Sequence, residues 1–189
     1  AESEQAVQAS PYDDNHVIAG NGVGGLEIAD ELKRQDRRLS HFFCAVSGGG
    51  LMSGHALSIA DGFPGAKIIG VEPAGADDFA RSLAAGDRVR VDRPSSICDG
   101  LLCYDVGERN WPILRDLVTE SICVTDDQTC AAMKWTDVQH GLRTEPSGAI
   151  TIAALLSRQI DLKGDGDLVV VVGGRKVDPD AFQKWTTCC

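Results

Sequence analysis

The chain has 189 residues and a mass of 20.1 kDa, enough for one domain with its own core and too little for a large multidomain enzyme. Its 18 Lys and Arg against 28 Asp and Glu leave a net charge of −10 and a pI near 4.7, which argues against a surface built for nucleic acid or anionic lipid. With 43% hydrophobic and 24% charged residues it can fold, and no apolar run approaches the roughly 20 residues of a membrane helix.

In chain order, AESEQAVQA (residues 1–9) reads as the tail of a helix and SPYDDN as a turn, as though the sequence opened inside a fold. That opening is polar and acidic where a secretion signal is basic and then apolar, so the expected location is cytoplasmic and the cysteines are read as thiols. Gly20-Asn21-Gly22-Val23-Gly24-Gly25 then matches the G-x-G-x-x-G pattern of a dinucleotide loop. The strand before it would span only residues 16–19, and the strand after the following helix ends at Ser47, where a ribose hydroxyl needs Asp or Glu. The other reading is that small residues let this helix pack closely on its neighbours.

HFFCAV (41–46), KIIGVE (67–72), SICVT (121–125) and LVVVVG (168–173) read as strands, the last as a central one covered on both faces. Residues 51–61, 78–85, 110–118, 126–142 and 147–159 read as helices. Asp126 and Asp127 are expected as an N-cap and a first-turn acid, and Ser147 as a cap after Pro146. The alternation predicts an α/β fold, a three-layer parallel sheet with helices on both faces, in one domain over 1–189. Cys44, Cys98, Cys103, Cys123 and Cys130 fall in apolar stretches without C-x-x-C spacing and read as small buried hydrophobes. No function is attached to the terminal Cys188-Cys189 pair.

Ser47-Gly48-Gly49-Gly50 directly follows a strong strand and leads into a helix. Consecutive amides there can turn toward one anion, helped by the helix's partial positive end and the serine hydroxyl. A flexible turn between strand and helix is the alternative.

At this loop, and over nearly the whole chain on either side of it, the sequence is similar to one family. AVSGGGLMSG resembles the phosphate loop of the pyridoxal-phosphate enzymes of the tryptophan-synthase-β fold, in particular the serine/threonine dehydratases and serine racemases. PYDDNHVIAGNGVGGLEI, IIGVEPAGADDFARSLAAG, ICDGL, NWPILRDLV, VTDDQ, TEPSGAITIAAL and VVVVGGRKVD follow in the family's order. The resemblance implies that the amides of Ser47, Gly48, Gly49, Gly50 and Leu51 hold the phosphate of pyridoxal 5′-phosphate, with Gly100 near its ring. It also implies a divalent ion, Mg²⁺ or Ca²⁺, bound by the carboxylates of Glu72 and Asp78 and the Ala76 carbonyl, a hard-oxygen set. A solvated acidic turn with Asp78 capping a helix is the alternative there. Glu145 matches a glutamate close to the cofactor, or is a first-turn acid.

The family's chemistry is β-elimination from a hydroxy amino acid such as serine, threonine or 3-hydroxyaspartate, through a lysine Schiff base. That lysine lies in a Phe-Lys context upstream of the matching segments, and none of Lys33, Lys67, Lys134, Lys163, Lys176 and Lys184 reproduces it. The expectation is the larger domain of a dehydratase without its smaller domain or catalytic lysine. It would be a fragment or split chain, inactive alone, working as a homo-oligomer or with a companion chain. A non-catalytic protein binding a small anion or a partner is the rival reading. Val172 stands where the family places Ser, Thr or Cys against the ring nitrogen, and GGRKVD departs from the usual GGNVD. Asn21 and Val23 replace a more usual Gln and Thr.

Overall fold

The Asp14 carboxylate accepts the His16 amide at 2.7 Å, and this N-cap starts a 20-residue helix, α1 (Asn15–Arg34). The computed structural model describes residues 9–162 and 165–187. All of Gly20–Gly25 lies inside α1, so residues 16–19 form no strand and the dinucleotide-loop reading is overturned. The glycines serve packing instead. A Cβ on Gly25 would fall 2.8 Å from Ser58 Cβ of α2 (Gly50–Gly62), and one on Gly54 would fall 2.4 Å from the Ile18 carbonyl oxygen. Ser58 Oγ donates to the Gly22 carbonyl at 2.7 Å across this close contact.

Four parallel strands, β1 (Leu39–Ala45), β2 (Lys67–Pro73), β3 (Glu120–Val124) and β4 (Asp167–Val170), form a sheet of order β3-β2-β1-β4. Helices cover both faces, as the run of apolar residues in β1 and β2 requires. Adjacent Phe42 and Phe43 point to opposite sides and are both fully buried. Phe43 joins Ile69, Ile122, Met133 and Ile150 in one core, and Phe42 joins Ile68, Met52, Phe79 and Leu114 in the other. The expected α/β class with a three-layer parallel sheet is what the chain adopts.

Three local expectations change. Among the described residues β4 lies at the sheet's edge, with Leu168 39% exposed, and is not a central strand. The cap of α5 (Asp126–His140) is Thr125, in a reciprocal capping box with Gln128, while Asp126 and Asp127 are both first-turn acids. Helix α6 (Pro146–Ser157) has Glu145 at its N-cap position, not Ser147. Helices α3 (Asp78–Ala85) and α4 (Asn110–Leu117) match expectation, and α7 (Pro179–Thr187) was not anticipated. Cys44, Cys98 and Cys130 are buried, whereas Cys103 and Cys123 are half-buried. The helix tail expected at the start falls almost wholly on residues 1–8, which with Cys188-Cys189 lie outside the described residues. Among the described residues no helix is long and apolar enough to cross a membrane.

Candidate functional site

Val46 donates its amide to the Val71 carbonyl at 2.9 Å, the last such bond before the chain leaves the sheet at Ser47. The turn that follows can be built only from glycine. Gly49 has φ +94°, and a Cβ on Gly48 would stand 2.3 Å from the Tyr12 ring. Ser53 then donates to the Gly49 carbonyl at 2.8 Å and α2 begins. Among the described residues, the amides of Ser47 to Leu51 donate to no acceptor of the chain. These five residues line a cavity of about 350 Å³ together with Tyr12, Asn21, Gly100 and Cys103. Unspent amides at a helix N-terminus, beside open space, are what an anion requires. Ser47 Oγ accepts the Cys103 amide at 3.2 Å, which leaves its hydroxyl proton available to a ligand.

A second cavity of about 180 Å³ shares Ala45, Leu51, Gly100 and Leu101 with the first and extends to Glu145, Ser147, Val171 and Gly173. The two form one cleft across the C-terminal ends of β1 and β4. Ser147, at the start of α6, accepts the Gly100 amide at 3.1 Å and so fixes the far wall. Glu145 makes no side-chain cap bond. Its amide donates to the Gly174 carbonyl at 3.1 Å, and a Cβ on Gly174 (φ +54°) would stand 2.0 Å from its carboxylate.

Of the residues singled out from sequence, Ser47 to Leu51, Gly100 and Glu145 share this cleft. Val172 does not: it packs against the core containing Phe43 and Ile150, and its neighbour Val171 lines the cleft. Sequence reasoning missed Tyr12, Cys103 and Asn110. Tyr12 and Asn110 had as their only signal membership of segments that follow the family's order, and Cys103 lies outside those segments; what brings all three to the loop is tertiary.

Glu72 and Asp78 lie elsewhere, at the end of β2. The buried Glu72 carboxylate accepts the Phe79 amide at 2.9 Å, the Ala80 amide at 2.7 Å and Ser121 Oγ at 3.2 Å. It therefore caps α3, while Asp77 at the N-cap position makes no such bond. Burial, and next the charge of Asp78, raise the Glu72 carboxyl to about 8. Burial likewise raises Asp78 to about 7, and its Oδ2 has no hydrogen-bond partner. Among the described residues no group of three or more His, Cys, Asp or Glu side chains is gathered as a metal cage. The expected Mg²⁺ or Ca²⁺ site thus has no side-chain cluster behind it, because Glu72 spends both oxygens on amides and hydroxyl.

No described lysine lines the cleft. Lys33 lies over the Phe63 ring and Lys67 pairs with Glu120 at 4.0 Å, while Lys163 lies outside the described residues.

The family model described as pyridoxal-phosphate dependent enzyme matches residues 1–174. The chain belongs to this family. A serine racemase of Oryza sativa subsp. indica is 35% identical over 181 residues, which are 94% of this chain and 52% of that protein. A chloroplastic biosynthetic threonine dehydratase of Arabidopsis thaliana is 36% identical over 185 residues, 97% of this chain and 31% of the relative. The solved structure of maize serine racemase superposes with a TM-score of 0.88 at 32% identity, covering 99% of this chain and 56% of that one. The chain thus spans about half the length of the serine racemases it matches.

Proposed function

We propose that this chain is the phosphate-holding part of a pyridoxal-phosphate dependent ammonia-lyase or racemase acting on a hydroxy amino acid such as serine, threonine or 3-hydroxyaspartate. The observation that carries the reading is the set of unspent amides from Ser47 to Leu51 at the start of α2, opening on a cavity of about 350 Å³. The amides and the Ser47 hydroxyl would hold the phosphate, Gly100 lines the cleft beside them, and Glu145 stands at the far end. Bound there, pyridoxal phosphate supplies an electron sink for carbanion chemistry at the amino acid's α-carbon. Residues 173–174 and the start of α6 line that end of the cleft around Glu145.

No described lysine reaches the cleft, so in this reading the amine that bonds the cofactor comes from another part of the enzyme, in the same or a companion chain, and the assembled form is a homo-oligomer or such a complex. A divalent ion belongs to the proposal at Glu72, Ala76 and Asp78. Its support is the unpartnered Asp78 Oδ2; Glu72, whose oxygens accept two amides and a hydroxyl, would have to exchange one of those bonds for the ion. Mg²⁺ or Ca²⁺ is expected to raise the melting temperature, and no shift at millimolar ion removes the metal from the reading.

The test is a titration of the purified chain with pyridoxal 5′-phosphate and with pyridoxal, followed by ³¹P NMR and calorimetry. Binding that needs the phosphate supports the proposal, and equal or absent binding of the two overturns it. Incubation of the cofactor-loaded chain with L-serine, L-threonine or threo-3-hydroxyaspartate is expected to release no ammonia. Release at an enzymatic rate overturns the assignment of the amine to another segment. One observation favours the rival, a non-catalytic anion-binding protein: at the strand end the cleft is lined by Val171 and Gly173, neither of which has a side chain that can hydrogen-bond a ring nitrogen.

A further inference from the structure

The Gly48 carbonyl is turned into the protein. It accepts Asn110 Nδ2 at 2.9 Å and the Gly107 amide at 3.0 Å, on the side of the loop away from the cleft. Asn110 is fully buried at the first residue of α4, and its Nδ2 also donates to the Tyr12 carbonyl at 3.0 Å. The amide's orientation is forced: the opposite assignment would set its oxygen against two carbonyl oxygens. Its Oδ1 has no partner, so the residue is retained for its donor alone.

A trans peptide fixes the next amide once its carbonyl is fixed, because C=O and N–H of one peptide plane point in opposite directions. Among the described residues there is no cis peptide. Two donors holding the Gly48 oxygen inward therefore hold the Gly49 N–H outward, and that amide has no acceptor among the described residues. The Gly49 φ of +94° places this plane in a conformation that the loop would leave readily without an anchor. The second bond, to Tyr12, ties the same side chain to the segment whose ring lies against Gly48.

We propose that Asn110 is a positioning residue that turns the Gly49 amide into the cleft, so that the cradle is set for phosphate before any ligand arrives. The role rests on the cofactor reading above and adds to it a residue that touches neither cofactor nor substrate. The cradle's affinity then depends on a side chain on α4, on the far side of the loop from the ligand.

The experiment compares the wild-type chain with Asn110→Leu, which keeps the branch at Cγ and removes the donor. Pyridoxal 5′-phosphate is expected to bind about tenfold to a hundredfold more weakly to the variant, the loss of one hydrogen bond to a charged group, while pyridoxal binds both proteins equally. Equal loss for both ligands, or no loss for either, overturns the proposal, because a merely structural residue does not distinguish them. Should the variant not fold, the wild-type chain decides: a hydrogen-bond scalar coupling from the Gly48 carbonyl carbon to the Asn110 side-chain amide is expected without ligand. Its absence overturns the role. If the wild-type chain bears that coupling yet binds neither pyridoxal 5′-phosphate nor inorganic phosphate, the cofactor reading fails while the anchoring of Gly48 by Asn110 stands.

Discussion

At residues 20–25 four glycines sit inside α1, whereas at residues 47–50 three glycines break the chain's regular bonding between β1 and α2. The first set has helical backbone throughout, and at Gly22, Gly24 and Gly25 the missing side chains let α2 approach until added Cβ atoms would crowd Gly54, His55 and Ser58. The second set includes a left-handed residue, and its amides are left without partners. A glycine pattern therefore does not announce an anion site. What separates the two is whether the amides are spent within a helix or left over at its start.

Substitutions can break this contrast. The largest expected effect is on the loop: Gly48→Val drives a side chain into the Tyr12 ring and is expected to weaken pyridoxal 5′-phosphate binding about a hundredfold or more, measured by calorimetry, as two amide donors are displaced. Gly54→Ala sets a methyl against the Ile18 carbonyl and the Gly22 amide, and is expected to lower stability by about 1–3 kcal/mol in urea melts, with cofactor binding retained by the folded fraction. If Gly54→Ala instead abolished binding while leaving stability intact, the division of labour between the two stretches would be wrong.

A region apart from both, the carboxylate pair at the end of β2, sharpens the contrast by titrating. Glu72 and Asp78 have folded-state values of about 8 and 7, above those of the unfolded chain. Their protonated forms are favoured by folding, so the stability they contribute is present at low pH and lost as pH rises through those values. His41 and His55 act oppositely, since burial holds both below their ordinary value and they cost stability only in acid. In chelator the melting temperature is therefore expected to fall from about pH 6.5 to 8. A melting temperature that climbs over that range contradicts the burial of the pair. The smallest effect is a gain: Gly20 is exposed and nothing lies within 4 Å of its Cβ position, so Gly20→Ala is expected to add about 0.5–1 kcal/mol.

The sequence made β1, β2 and α3 legible because short apolar runs, aromatic in β1 and β-branched in β2, and a sharply amphipathic helix leave little ambiguity. It hid α1, since glycines every second residue mask a helical period that the Asp14 cap and contact with α2 restore. It misplaced β4, because a strand of valines reads as covered on both faces whichever position it holds. In the cleft, Ser47 to Leu51, Gly100 and Glu145 could be read from local motifs, while Val171 and Val172 differ only by the alternation of a strand's two faces. Tyr12 and Asn110 left no local trace. Each owes its place to partners far along the chain.

That distance has a kinetic consequence. The bond from Asn110 to Tyr12 spans 98 positions and the bond from Asn110 to Gly48 spans 62, while Asp13 reaches across to the amides of Glu108 and Arg109. Contacts of such span close slowly, after helices and neighbouring strands have formed. The cradle is therefore complete only once these long-range contacts are made, so phosphate affinity reports tertiary packing and not secondary structure alone.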